Sequence, residues 1–155
     1  VIVQELVEGH GAGLFAAYDR GSPVAFFAHR RLREKPPWGG VSVLSESVPL
    51  EPSMKAMAQR LLDALEWHGV AMVEFKVGAD GQPKLMEING RFWGSLQLAI
   101  DAGVDFPHLL LQTLSAAEFP PPPPYKVGVK SRWLWGDLDS LLLTYRGRPA
   151  GAATC

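Results

Sequence analysis

Glu74 and Glu87, with Asn89 and Arg91 close behind, are the residues of this chain whose types and spacing best suggest chemistry. They sit in two alternating runs, 70–77 and 84–90, on either side of Ala79-Asp80-Gly81-Gln82. Asp-Gly between such runs is a strong hairpin signal. With Asp80 and Gly81 as the two central turn residues, Glu74 falls opposite Glu87. Opposed residues on one face have Cβ atoms about 4.5–5.5 Å apart, where like charges repel. Alternation gathers Met72, Glu74 and Lys76 with Leu85, Glu87, Asn89 and Arg91 on one face. It leaves Ala71, Val73, Phe75, Val77, Met86 and Ile88 for a core. An odd loop length would send the two carboxylates to opposite faces.

Two carboxylates and an amide oxygen are hard ligands, suited to Mg²⁺ or Mn²⁺. Mg²⁺ takes few protein ligands and shares its shell with water and phosphates. Arg91 would then offset charge on a transferring phosphoryl group. The competing reading is a solvated sheet face with compensating charges, the ordinary look of a half-buried hairpin.

Other constellations carry less. Gly9-His10-Gly11-Ala12-Gly13 has G-x-G spacing, but no helix follows, so it reads as a hairpin turn rather than a phosphate loop. Arg30, Arg31, Arg33 and Lys35 precede a Gly/Pro loop. They read either as contacts to phosphate or an anionic substrate, or as a solvated strand end. Trp38-Gly39-Gly40 is read as a mobile substrate loop. The four histidines show no metal spacing, and no Ser/His/Asp or Cys/His catalytic set is readable. Phe92, Trp93, Trp133 and Trp135 read as packing residues.

The elements that must position these groups follow from the same pattern. Residues 1–8 read as a strand, followed by strands near 14–19, 23–31 and 41–48. Residues 52–68 read as a helix, with Pro52 in its first turn and Gly69 past its end. Short helices are expected at about 95–102 and 106–116, started by Asp105 and Pro107 in the second case. The five prolines 120–124 read as a stiff connector or spacer. A strand over 126–135 and a last helix capped by Asp137 complete the chain. The expected fold class is α+β, an antiparallel sheet packed with helices.

Composition sets the outer bounds. The chain has 155 residues, enough for one domain with a real core. Net charge is −1, without the basic surplus of a general nucleic-acid binder. The single cysteine excludes an internal disulfide framework and fits a reducing, cytoplasmic setting. No apolar run reaches the length of a membrane span. The chain opens at Val1 without an initiator Met and is expected to be a piece of something longer.

The stretch VEFKVGADGQPKLMEINGRFWGS, residues 73–95, resembles the metal-binding core of ATP-grasp enzymes. The closest type is the ligases similar to the carbamoyl-phosphate synthase large chain and biotin carboxylase. Their pattern has an acidic residue on one strand, here Glu74, and Glu-x-Asn-x-Arg on the next, here Glu87, Asn89 and Arg91. The resemblance implies that Glu74, Glu87 and Asn89 hold the metal of MgATP and that Arg91 lies near the γ-phosphate or acyl phosphate. It also tips Arg31 toward a supporting catalytic role.

Val3-Gln4-Glu5-Leu6-Val7-Glu8-Gly9 resembles the strand that links the two ATP-grasp subdomains. This implies adenine contacts at Gln4, Glu5 and Val7, with Glu8 a candidate for the ribose hydroxyls. The likeness covers about 1–118, as the C-terminal subdomain of the fold, with 119–125 a connector and 126–155 an extension. It implies a lysine-bearing N-terminal lobe that is missing here.

The expected function is ATP-dependent ligation of a small carboxylate to an amine or ammonia. The rival is a non-catalytic nucleotide- or protein-binding module on the same fold. A homodimer is among the expected assemblies.

Overall fold

The structure, a computed structural model, describes residue 3, residues 6–115 and residues 122–147. The most continuously buried run becomes β1 (His10–Asp19), near the middle of a six-stranded antiparallel sheet. Its neighbours are β2 (Ser22–Lys35) on one side and β4 (Gly69–Val77) on the other. β3 (Val41–Ser47) and the short β6 (Lys130–Arg132) extend the sheet beyond β2, and β5 (Pro83–Asn89) forms the opposite edge. The fold is α+β, as expected.

The two faces of β1 enter two apolar layers. Ala12, Leu14, Ala16 and Tyr18 pack with Ala71, Val73 and Phe75 of β4 under helix α1 (Pro52–Ala64). α1 supplies Met54, Ala58 and Leu62 to that layer. The Glu51 carboxylate caps its start by accepting from the backbone N–H of Ser53 at 3.1 Å and Met54 at 2.7 Å. Phe15 and Ala17 face the other way, with Phe27, Val70 and Met72. They pack under α2 (Leu96–Ala102) and α3 (Phe106–Leu114). Asp105 caps α3, accepting from His108 N–H at 2.9 Å.

Several expectations are corrected. α1 stops at Ala64, short of residue 68, because Glu66 takes a left-handed φ of 47° and turns the chain into β4. The described residues of the expected first strand, 3 and 6–8, are not strand. Gly11 and Gly13 lie inside β1 rather than in a turn. The expected strand over 126–135 shrinks to Lys130–Arg132.

Asp137 does not cap the last helix, α4 (Leu134–Arg146), whose cap is Trp133. Asp137 is instead buried within α4's first turns and accepts from Arg132 Nε at 2.6 Å. Phe92, Trp133 and Trp135 are 39%, 51% and 73% exposed, so of the four aromatics read as packing only Trp93 is buried. Residues 118–121 and Cys155 lie outside the described residues. No helix among the described residues is long and apolar enough to cross a membrane.

Candidate functional site

The hairpin reaches its expected pairing by an unexpected route. Five residues, 78–82, separate β4 from β5, rather than two. Gly81 adopts φ +71°, and Asp80 Oδ1 accepts from Gln82 N–H at 3.0 Å, which closes the turn. The odd loop sets Val77 opposite Pro83 and Phe75 opposite Leu85. A bulge between Glu74 and Phe75 then restores the count, so Glu74 does pair with Glu87, Val73 with Ile88 and Met72 with Asn89. The cost falls on the edge strand. Leu85 and Met86 are about half exposed, and Met86 does not enter the core as alternation predicted.

Along β4 the inner face changes character without changing side. Val70 and Met72 belong to the apolar layer under α2 and α3, and Glu74 and Lys76 continue the same face beyond it. β2 does the same, running from Phe27 through His29 to Arg31. β1, between them, carries glycine at this point. A Cβ on Gly13 would lie 2.9 Å from His29 Nε2, and one on Gly11 would lie 3.3 Å from Arg31 Cδ. Strands two apart are separated by about 9–10 Å. The bare backbone of Gly11 and Gly13 lets Arg31 of β2 lie across β1 and reach Glu74 of β4. Arg31 Nη2 donates to Glu74 Oε2 at 2.5 Å, with both side chains largely buried.

Arg31, Glu74, Asn89 and Arg91 line one small cavity of about 180 Å³ together with His29, Trp93 and Ser95. Glu87 lies just outside this lining, on the exposed edge strand, where Oε1 accepts from Asn89 Nδ2 at 2.8 Å. Arg91 is exposed, and its Nη1 donates to the Phe92 carbonyl at 3.1 Å. Trp93 closes the floor by packing on Phe15 and Phe106, with ring centroids 4.4 and 5.0 Å apart.

His29 and Ser95 were not singled out from sequence. Ser95, the first residue before α2, lies 3.2 Å from His29 Nδ1 through its Oγ. Burial, reinforced by the Arg31 charge, lowers the His29 pKa to about 3, so the ring is neutral at any ordinary pH. The readable signal for His29 was the alternate glycines of β1. In sequence they read as a turn, because a glycine's need for space cannot be told there from its need for a positive φ.

Val7 and Glu8 line a separate cavity of about 340 Å³ with Glu34, Trp38, Gly39 and Lys76. Gln4 and Glu5 fall outside the described residues. Arg31, Arg33, Glu34 and Lys76 form a third cavity, about 430 Å³, walled on one side by Ser140, Leu141 and Thr144 of α4. The structure thus brings Arg31 and Arg91 to the carboxylates and sets Val7 and Glu8 at a neighbouring hollow.

Residues 16–135 match the family model described as ATP-grasp in the biosynthetic pathway with Ter operon. The chain belongs to this ATP-grasp family. No curated protein matches it. Solved structures with the same fold include the phosphoribosylaminoimidazole carboxylase ATPase subunit of Aquifex aeolicus, at 21% identity and TM-score 0.62. An L-amino acid ligase of Bacillus licheniformis has 20% identity and TM-score 0.58. The biotin carboxylase of Campylobacter jejuni, solved with β,γ-ATP, has 14% identity and TM-score 0.62. These matches cover 77%, 69% and 76% of this chain but only 36%, 29% and 28% of those proteins. The chain therefore spans about a third of the length of the structures it resembles.

For an ATP-grasp chain the donor set is chemically apt for a hard divalent ion. Glu74 keeps Oε1 clear of the Arg31 contact, and Glu87 and Asn89 add a carboxylate and an amide oxygen from the paired strand. Among the described residues no group of three or more His, Cys, Asp or Glu is placed to hold a metal ion. An open pair of carboxylates suits an ion that keeps most of its shell for water and phosphate.

Proposed function

We propose that this chain supplies the metal-facing part of the nucleotide site in an ATP- and magnesium-dependent ligase. The reaction joins a carboxylate to an amine or ammonia through an acyl phosphate. The observation that carries this reading is the facing of Glu74 and Glu87 across β4 and β5, beside a cavity lined by Asn89, Arg31 and Arg91. Like charges opposed on one face destabilise a bare sheet, so their pairing makes sense when a cation joins them.

Glu74, Glu87 and Asn89 would hold the magnesium ion, which supplies Lewis-acid stabilisation of the phosphate oxygens when bound. Arg91 and Arg31 place guanidinium charge beside the same cavity, where the γ-phosphoryl group would pass from ATP to a carboxylate oxygen and release ADP. Attack of the amine on the acyl carbon then expels phosphate, and the amine loses a proton. No side-chain nucleophile is needed, and positioning and electrostatics carry the barrier reduction. Val7 and Glu8, on the hollow shared with Trp38 and Lys76, are assigned to the adenosine end, together with Gln4 and Glu5. A cytoplasmic setting and an N-terminal lobe that completes the ATP site belong to the same proposal.

The test is ADP and phosphate release by the full-length protein across a panel of small carboxylates and amines. Turnover that needs both substrates and magnesium supports a ligase. Nucleotide binding without turnover for any pair favours a non-catalytic module on the same fold.

A further inference from the structure

Arg31 sits between two carboxylates, and the two contacts are unequal. Nη2 is 2.5 Å from Glu74 Oε2, and Nη1 is 3.4 Å from Glu34 Oε1. The same Nη1 donates to the Gly40 carbonyl at 3.3 Å, and Gly40 N–H donates back to Glu34 Oε2 at 3.2 Å. Glu34 thus touches Arg31 with one oxygen and the end of the 36–40 loop with the other. Arg31 Nε is buried and has no hydrogen-bond partner among the described residues. Nε–H shares the side-on edge of the guanidinium with Nη2, so the present pose uses only half of an edge that can pair with a carboxylate through two parallel bonds.

We propose that Glu34 is a positioning residue that offers Arg31 a second seat. This rests on the reading of Glu74 as a metal ligand. With no divalent ion bound, Arg31 is the counter-charge of Glu74. An ion arriving at Glu74 repels the guanidinium, which turns to Glu34 and pairs its orphaned Nε–H there. Glu34 then exchanges Gly40 N–H for Arg31. The 36–40 loop is thereby coupled to cation binding.

The loop is well placed to carry the message. Trp38 and Gly39 wall the hollow that also holds Val7 and Glu8. A Cβ on Gly40 would lie 2.3 Å from the Lys35 carbonyl, so this turn tolerates only glycine in its present form. Glu34 itself lines both this hollow and the neighbouring cavity under α4. Its backbone carbonyl accepts from Ser140 Oγ at 2.7 Å, which fixes the strand while the carboxylate changes partners.

The experiment uses Mn²⁺ alone as probe, with binding to the full chain followed by water-proton relaxation. Glu34→Gln is compared in two backgrounds, wild type and Arg31→Gln. In wild type it weakens Mn²⁺ binding by about fivefold or more, since Arg31 stays on Glu74. In Arg31→Gln it changes affinity less than about twofold, because the residue it acts through is gone. An equal loss in both backgrounds overturns the proposal and makes Glu34 a plain charge or ligand.

Arg31→Met repeats the charge deletion if Arg31→Gln melts early. Mg²⁺ should also change tryptophan fluorescence in wild type and not in Trp38→Phe or Glu34→Gln. A signal unaltered in both variants counts against the coupled loop. Glu74→Gln separates the two layers of inference. It should abolish Mn²⁺ binding, and unchanged binding there overturns the metal reading itself.

Discussion

The two faces of the sheet are built from the same strands and do different work. Under α1, β1 and β4 present apolar side chains along most of their length, from Ala12 to Tyr18 and from Ala71 to Phe75. Under α2 and α3, β1, β2 and β4 are apolar for part of their length, then change character in one row at Gly13, His29 and Glu74. The boundary is where the covering helices end and Trp93 closes the layer. A strand can therefore pass from core to site without a change of face, provided its neighbours change in the same row. One face stores stability, and half of the other is free to hold charge.

The sharpest way to break this comparison is Glu87→Gln. Its carboxylate is exposed on an edge strand, where it accepts from Asn89, so the fold should tolerate the change. Magnesium-dependent turnover of the full-length protein should fall about a thousandfold, a loss of ~4 kcal/mol of transition-state stabilisation. Unaltered turnover, with the far-ultraviolet spectrum intact, removes Glu87 from the metal set.

The converse variant is Leu62→Ala. Leu62 is fully buried under the apolar face, so truncation should cost about 3 kcal/mol of stability in a denaturant titration. The Mn²⁺ affinity of the remaining folded protein should not move. A matching loss of affinity would show that the two faces are not independent.

The apolar face was legible in the sequence because its period is regular. The helix that follows Pro52 and the alternation of 70–77 are read directly. The facing of Glu74 and Glu87 was also read, but from a two-residue turn that does not exist. The five-residue loop and the bulge after Glu74 each shift register by one, and they cancel. Neither event has a strong local signal, since a bulge depends on the partner strand. His29 and Ser95 were missed for a related reason. Their roles arise from rows across β1, β2 and β4 and from the start of α2, contacts between segments distant in sequence. Gln4 and Glu5 stand as implied by resemblance alone.

Titration separates the faces by sign. The His29 pKa is lowered to about 3, first by burial and then by Arg31. Below the ordinary histidine value near 6.5 the unfolded chain takes a proton that the folded chain refuses. Stability should therefore fall by about 1.4 kcal/mol for each pH unit from about 6.5 downward, and His29→Gln should flatten that slope. Tyr18, on the α1 face, is pushed upward by burial and by its hydrogen bond to Asp63 at 3.0 Å. Its effect appears at the alkaline end, where the unfolded chain loses a proton that the folded one keeps. Melting curves from pH 4 to 11 should lose stability at both ends, with His29→Gln relieving only the acid side.

Glu51→Ala makes the smallest cut and tests whether stability loss alone reaches the site. The Glu51 carboxylate satisfies two of the free N–H groups at the start of α1 and accepts from Ser53 Oγ as well. Those bonds hold its pKa below the ordinary carboxylate value, with the Ser53 hydroxyl the largest cause. Removing the cap should cost about 1 kcal/mol, read as a lower midpoint in urea with an unchanged slope. α1 packs against the apolar face, on the side of the sheet opposite Glu74. Mn²⁺ affinity in Glu51→Ala should match wild type, and so should the fivefold effect of Glu34→Gln placed on top of it. If the cap variant erodes that effect, the coupling assigned to Glu34 is a property of global rigidity, and the division between the faces fails with it.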